Sequence, residues 1–173
     1  MRNCVAIAVC VVLMAPAVVV AGEKDDYAVR EKKVVRPEVL PDKASVYIVR
    51  PAKMGMAIRM WAFADDTALG LTKGDTYAHA YLEPGEYTFW SRAENVSAVN
   101  HTVEAGKIYY FKQQVKMGGL KARVSVEFLS DAEGQEVLDK CASFSILTDV
   151  GKLRAAEIAA EKRDKADEKA AGE

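Results

Sequence analysis

Cysteine is nearly missing from this chain: Cys4, Cys10 and Cys141 are the only three in 173 residues. The first two fall in an apolar leader, so a processed protein keeps Cys141 alone, and one thiol cannot close an internal bridge. That excludes a disulfide scaffold, and a single thiol on an amphipathic segment reads as buried. Histidine is scarcer still. His79 and His101 stand in different expected strands, with no Cys, Asp or Glu at ligand spacing around either. We therefore name no metal ligand, no acid–base pair and no catalytic residue. Charge of one sign is lacking too, the net value being −1, so nothing draws the chain to nucleic acid. Gly118-Gly119 is followed by no helix start bearing lysine and a hydroxyl, so it reads as a turn rather than a phosphate loop, and no cofactor is expected.

Long apolar runs are confined to the beginning. Residues 1–21 hold Arg2, then an apolar stretch from Val5 to Val20, then Val19-Val20-Ala21 before Gly22. That is the pattern of a secretory signal, with small side chains at the cleavage positions, and it predicts export after a cut at Ala21. The competing reading is a retained inner-membrane anchor, since the 18 residues from Cys4 to Ala21 carry no charge and sit at the lower limit for a span. A membrane association is expected only in that case. Val9 is too bulky for a lipobox ending at Cys10.

Residues 22–43 are charged and interrupted by Pro37 and Pro41, which predicts an extended, flexible lead-in without a core. From Ala44 onward the chain is written in short β-type runs. Ser45–Arg50 is β-branched and aromatic and is stopped by Pro51. Met56–Ala64 alternates, with Met56, Ile58, Met60 and Ala62 on one face and Arg59, Trp61 and Phe63 on the other. Ala68–Leu71, Thr76–Leu82, Glu86–Ala93, Val99–Val103, Ile108–Val115 and Arg123–Leu129 follow. In the last, Val124, Val126 and Phe128 are expected inward, because successive side chains of a strand point to opposite faces. The fold class predicted is mainly β: one sandwich-like domain over 44–141 with seven or eight antiparallel strands, a small barrel being the other way to bury the pattern.

Pro84-Gly85 joins Thr76–Leu82 to Glu86–Ala93 and predicts a hairpin. Proline presets the first central turn position and glycine takes positive φ at the second. A β-branched residue at Gly85 would then be strained. Ser130-Asp131-Ala132-Glu133 is a capping box that opens a short helix, whose edge Val137, Leu138, Cys141 suits the sheet. Residues 142–173 read as a charged helical tail, with Glu161 and Lys165 spaced for an i,i+4 pair. Asn95-Val96-Ser97 and Asn100-His101-Thr102 match the glycosylation sequon, which matters only in a eukaryotic secretory route.

With chemistry so thin, the aromatic residues are the candidates for a binding surface. Trp61, Tyr77, Tyr81, Trp90 and Tyr109 are singled out, because an exposed ring cluster marks an interface. In Tyr109-Tyr110-Phe111 at least one ring must point away from the others.

Several of these runs also carry a resemblance. Gly106-Lys107-Ile108-Tyr109-Tyr110-Phe111-Lys112-Gln113-Gln114-Val115-Lys116-Met117-Gly118, then Ala122-Arg123 and Ser130-Asp131-Ala132-Glu133-Gly134, resemble the bacterial domain-of-unknown-function family numbered 2846. So do Val46-Tyr47-Ile48-Val49-Arg50-Pro51 and Leu82-Glu83-Pro84-Gly85-Glu86-Tyr87, the latter turn being similar also to that of PEGA surface domains. The resemblance covers about Ala44 to Cys141 and implies a small exported protein or lipoprotein with a β-sandwich-like domain. It implies no activity, so no residue roles are carried over. The function expected is a non-enzymatic periplasmic or cell-envelope interaction module, its partner an envelope protein, peptidoglycan or lipid. The alternatives are a small-ligand carrier with a ring-lined internal cavity, and an enzyme.

Overall fold

The computed structural model describes residues 26–32, 36, 38–51, 55–117 and 122–171. The leader expected over 1–21 and the Gly118-Gly119 turn lie outside the described residues. The elements in chain order are β1 (Ala28–Glu31), β2 (Ala44–Arg50), β3 (Met60–Ala64), β4 (Thr67–Thr72), β5 (Thr76–Leu82) and β6 (Gly85–Arg92). Then come β7 (Val96–Val103), β8 (Ile108–Met117), β9 (Ala122–Leu129), α1 (Asp131–Asp139), β10 (Ser143–Leu147) and α2 (Asp149–Ala171).

The strands make two sheets, a six-stranded one ordered β1-β10-β5-β2-β8-β9 and a four-stranded one ordered β4-β3-β6-β7. The mainly-β sandwich is thus the fold, with eight of its strands inside 44–141. Two pairings depart from the antiparallel expectation: β2 with β8, and β10 with β5, are parallel. Strand periodicity fixes which face a residue takes but not the direction of its neighbour, so this was invisible in the runs themselves.

β2 explains its own sequence. It is buried along its whole length because each face is covered. Val46 and Ile48 meet Ala62, Leu69, Phe89 and Phe111 between the sheets. Tyr47 and Val49 point the other way, to Tyr77, Tyr110, Leu138 and Cys141 beneath α1. A strand covered on both sides reads as a continuous apolar run. The second helix does the same for the four-stranded sheet, setting Ala155, Ile158 and Ala159 on Phe63 and Trp90. The layers are therefore helix, sheet, sheet, helix.

Three expectations are corrected here. The Pro84-Gly85 link is not a hairpin. β5 pairs with β2 and β10, whereas β6 pairs with β3 and β7, so the link carries the chain from one sheet to the other. Gly85 opens β6 outside the positive-φ region, which among described glycines only Gly55 and Gly106 occupy. Next, the charged helical tail over 142–173 begins with a strand, β10, and its helix is docked rather than solvated. Glu161 reaches Arg92 at 2.8 Å, and the ammonium of Lys162 sits 4.3 Å over the Trp90 ring. Lastly, the lead-in is not merely extended. β1 pairs with β10, and Arg36 forms an ion pair with Asp139 of α1.

The large polar side chains buried inside the sandwich are paired with backbone or with one another. Arg50 is fully buried and donates to the carbonyls of Ile58 at 2.5 Å and Gly55 at 2.7 Å. Burial lowers its pKa to about 10, which leaves it charged at neutral pH. Gln113 donates to Ser91 Oγ at 2.7 Å and accepts from the Thr72 hydroxyl. The capping box forms as read: the backbone N–H and hydroxyl of Ser130 both donate to Glu133 Oε2, at 3.2 and 2.6 Å.

Candidate functional site

The structure does not gather the five sequence-selected rings. Tyr77 is 0% exposed and stacks on Phe144 at 5.1 Å. Trp90 is 1% exposed, stacks on Phe63 at 4.0 Å and donates from Nε1 to the Asp65 carbonyl at 2.7 Å. Trp61 is half-buried, 6.4 Å from Phe63 and 5.9 Å from Tyr27. Tyr81, also half-buried, donates its hydroxyl to the Glu38 carbonyl at 2.5 Å. Tyr77 and Trp90 therefore present no open ring face. α1 and α2 cover positions that strand alternation alone would leave open, and a helix landing on a sheet cannot be read from the strand it lands on.

Tyr109 is buried too, at 7% exposure, but it lines a groove. It forms one wall of an open groove of about 930 Å³ bounded by the end of β7, the start of β8, the end of β9 and the first turn of α1. Register explains the groove. β9 stops at Leu129 opposite Tyr110, and the chain then turns into α1 at Ser130. The first residues of β8, Ile108 and Tyr109, thus have no described strand beside them on that side, while β2 pairs with them on the other.

The floor is a ring cluster. His101 lies flat on Phe128 with centroids 4.0 Å apart and planes at 23°, and edge-on to Tyr109 at 5.4 Å. Phe128 remains 40% exposed. It keeps the inward-facing parity expected of it, but it sits where the cover of the two sheets ends. Tyr109 is anchored by accepting the Glu104 N–H at its hydroxyl, 2.9 Å away.

Charge around the rim is mixed. Lys107 pairs with Glu104 at 2.8 Å, and that bond holds its pKa above the usual lysine value. Across the groove stand Asp131 and Gln135 of α1. Tyr110 lies 3.4 Å from Gln135 through its hydroxyl, and burial, with the Asp131 charge adding, raises its pKa. The sequence reading missed His101 and Phe128 as partners. The available signal was an apolar ring two residues before the helix-opening serine, where cover from β9 has to end.

The remaining titratable candidates sit in packed settings. His79 lies on the outer face of β5, its Nε2 2.7 Å from Ser45 Oγ and its ring 4.6 Å from Tyr47; burial lowers its pKa to about 4. Cys141 is buried and its Sγ contacts the carbonyls of Thr76 and Val137 at 3.6 Å each. Burial lifts this thiol to about 12, so it is no thiolate nucleophile at neutral pH. Among the described residues no three His, Cys, Asp or Glu converge in metal-ligand fashion. No described helix is long and apolar enough to cross a membrane. Among the described residues, Ile48, Phe89 and Phe111 pack between the sheets, where a ligand carrier would hold its cavity, and Phe89 and Phe111 stack there at 3.9 Å.

The profile of a family described as "Protein of unknown function (DUF2846)" matches residues 41–127. An uncharacterized protein of Haemophilus influenzae is 26% identical over 116 residues, which is 65% of this chain and 69% of that protein.

Proposed function

The chain belongs to the DUF2846 family, and from that premise we propose that it is an exported, non-enzymatic interaction module of the cell envelope whose groove takes an extended segment of a partner protein. The observation that carries this reading is the ending of β9 at Leu129. It leaves the start of β8 open beside the half-exposed Phe128 and its stacked partner His101.

An open strand start offers backbone groups to an incoming chain, and pockets beside it select alternate side chains. Here the Phe128–His101 pair suits an apolar or aromatic side chain, and Lys107, Glu104 and Asp131 at the rim suit polar neighbours. Export is supported by the leader pattern of residues 1–21. Among the described lining residues no nucleophile–base pair stands, which supports a binding role.

The test is nuclear magnetic resonance of the processed chain titrated with extended peptides drawn from a display selection. Binding should shift the amides of Ile108–Tyr110, Thr102–Glu104 and Asp131–Ala132 together, and Phe128→Ala should weaken it about tenfold. Shifts confined to other surfaces would overturn the reading. So would shifts at these amides caused by glycan fragments or lipid vesicles but by no peptide.

A further inference from the structure

The rim of the groove is not neutral. Among its described lining residues Glu104, Lys107 and Asp131 carry charge, two carboxylates against one ammonium. Glu104 and Lys107 stand 2.8 Å apart and offset one another, which leaves Asp131. Its side chain is exposed and makes no hydrogen bond or ion pair among the described residues. The acids nearest it in sequence are already committed: Glu133 to the Ser130 hydroxyl at 2.6 Å, Glu127 to Lys112 at 3.4 Å, and Asp139 to Arg36. Asp131 also acts on the floor side of the groove, because burial and then the Asp131 charge raise the pKa of Tyr110. Facing it, Phe128 keeps 40% of its surface open while His101 covers one ring face at 4.0 Å.

We propose, resting on the reading of the groove as a peptide site, that the segment it takes carries an arginine or lysine whose stem lies along Phe128 and whose charged head meets Asp131. One side chain suits both ends of this arrangement. Its methylene stem buries against apolar surface while the head stays at the wet rim. A cation beside an aromatic face gains from the negative face of the ring, and a carboxylate without a partner completes a charge-assisted hydrogen bond. A purely apolar side chain would fill the floor and leave Asp131 unmatched, and an acidic one would set like charges together. The dipole of α1 accounts for an acid in its first turn, but it asks nothing of the open ring across from that acid. Asp131 is exposed, so its share of the affinity is modest and weakens with salt.

The experiment is a display selection of extended seven-residue peptides on the full chain and, in parallel, on Asp131→Asn. Peptides enriched on the native chain should share arginine or lysine at one position, and that preference should disappear on Asp131→Asn. For one enriched peptide, replacing the basic residue by neutral citrulline or norleucine should weaken binding about fivefold on the native chain. It should change little on Asp131→Asn, while Glu136→Gln, an acid of α1 outside the groove, should keep the full difference. Enriched peptides that shift the Ile108–Tyr110 amides but carry no basic residue overturn this inference and leave the groove reading standing. Equal loss of the preference on Glu136→Gln overturns it as well, since the attraction would then be to acidic surface in general. If no selected peptide shifts those amides, the groove reading falls and this one with it. Should Asp131→Asn fold poorly, the citrulline comparison on the native chain decides: equal affinities refute the cation.

Discussion

The side-chain amide of Asn95 pairs with the peptide of Val124 as a neighbouring strand would. Its Oδ1 accepts the Val124 N–H at 2.6 Å, and its Nδ2 donates to the Val124 carbonyl at 3.0 Å. Two residues on, Ser97 Oγ accepts the Val126 N–H at 3.1 Å. β9 is an edge strand, and edge strands expose unpaired backbone. Here side chains borne at and just before the start of β7 close the sandwich along that edge.

Asn95→Ala removes both bonds and leaves the Val124 peptide partly buried without partners. We expect a loss of about 1–3 kcal/mol in chemical denaturation. Hydrogen exchange should speed up at Val124 before it does at central strands. Unchanged protection there would show that water replaces the amide at no cost.

Gly134 sits in α1 where the helix presses on Tyr110, and a Cβ built there would overlap the tyrosine ring. Helix propensity favours alanine over glycine by about 1 kcal/mol. Packing should reverse that sign, so Gly134→Ala is expected to destabilise the protein by about 1–3 kcal/mol. A raised melting temperature would mean that α1 can move off the sheet cheaply.

His79 gives a pH dependence of known direction. Its folded pKa is lowered from 6.5 to about 4 by burial, so the unfolded chain binds the proton first. Stability from the neutral imidazole is complete above pH 6.5 and falls as the pH drops towards 4. The expected loss is about 1–3 kcal/mol across that window. His79→Gln should flatten this part of the profile measured by denaturant midpoints, and an unaltered slope would assign the acid sensitivity to other groups.

Gly85 reverses the sequence expectation. Its φ is not positive, and a Cβ there would meet Tyr87 at 3.5 Å, an ordinary contact. Gly85→Ala should change stability by less than about 0.5 kcal/mol or raise it slightly, because glycine in a strand carries an entropic cost. A fall of about 1 kcal/mol or more in thermal unfolding would contradict the strand assignment.

The chain's own pattern determined the strands from β2 to β9, their faces and the start of α1, but not β1 or β10. Ala62, Phe63 and Tyr110 take the sides that two-residue alternation assigns them, and Ser130 caps where it was read to cap, because these are short-range steric and hydrogen-bond preferences. Tertiary structure alone decided how the strands meet. Leu82 and Glu86 flank a turn whose local chemistry is the same whether its arms pair or stack. They stack because β5 is paired by β2 and β10, and β6 by β3 and β7, in the other sheet. The same holds for the surfaces. Trp90 and Phe128 are both large rings in alternating strands, yet α2 hides one and the end of β9 uncovers the other. Exposure depends on which distant segment arrives, a property of long-range packing that no local spacing encodes.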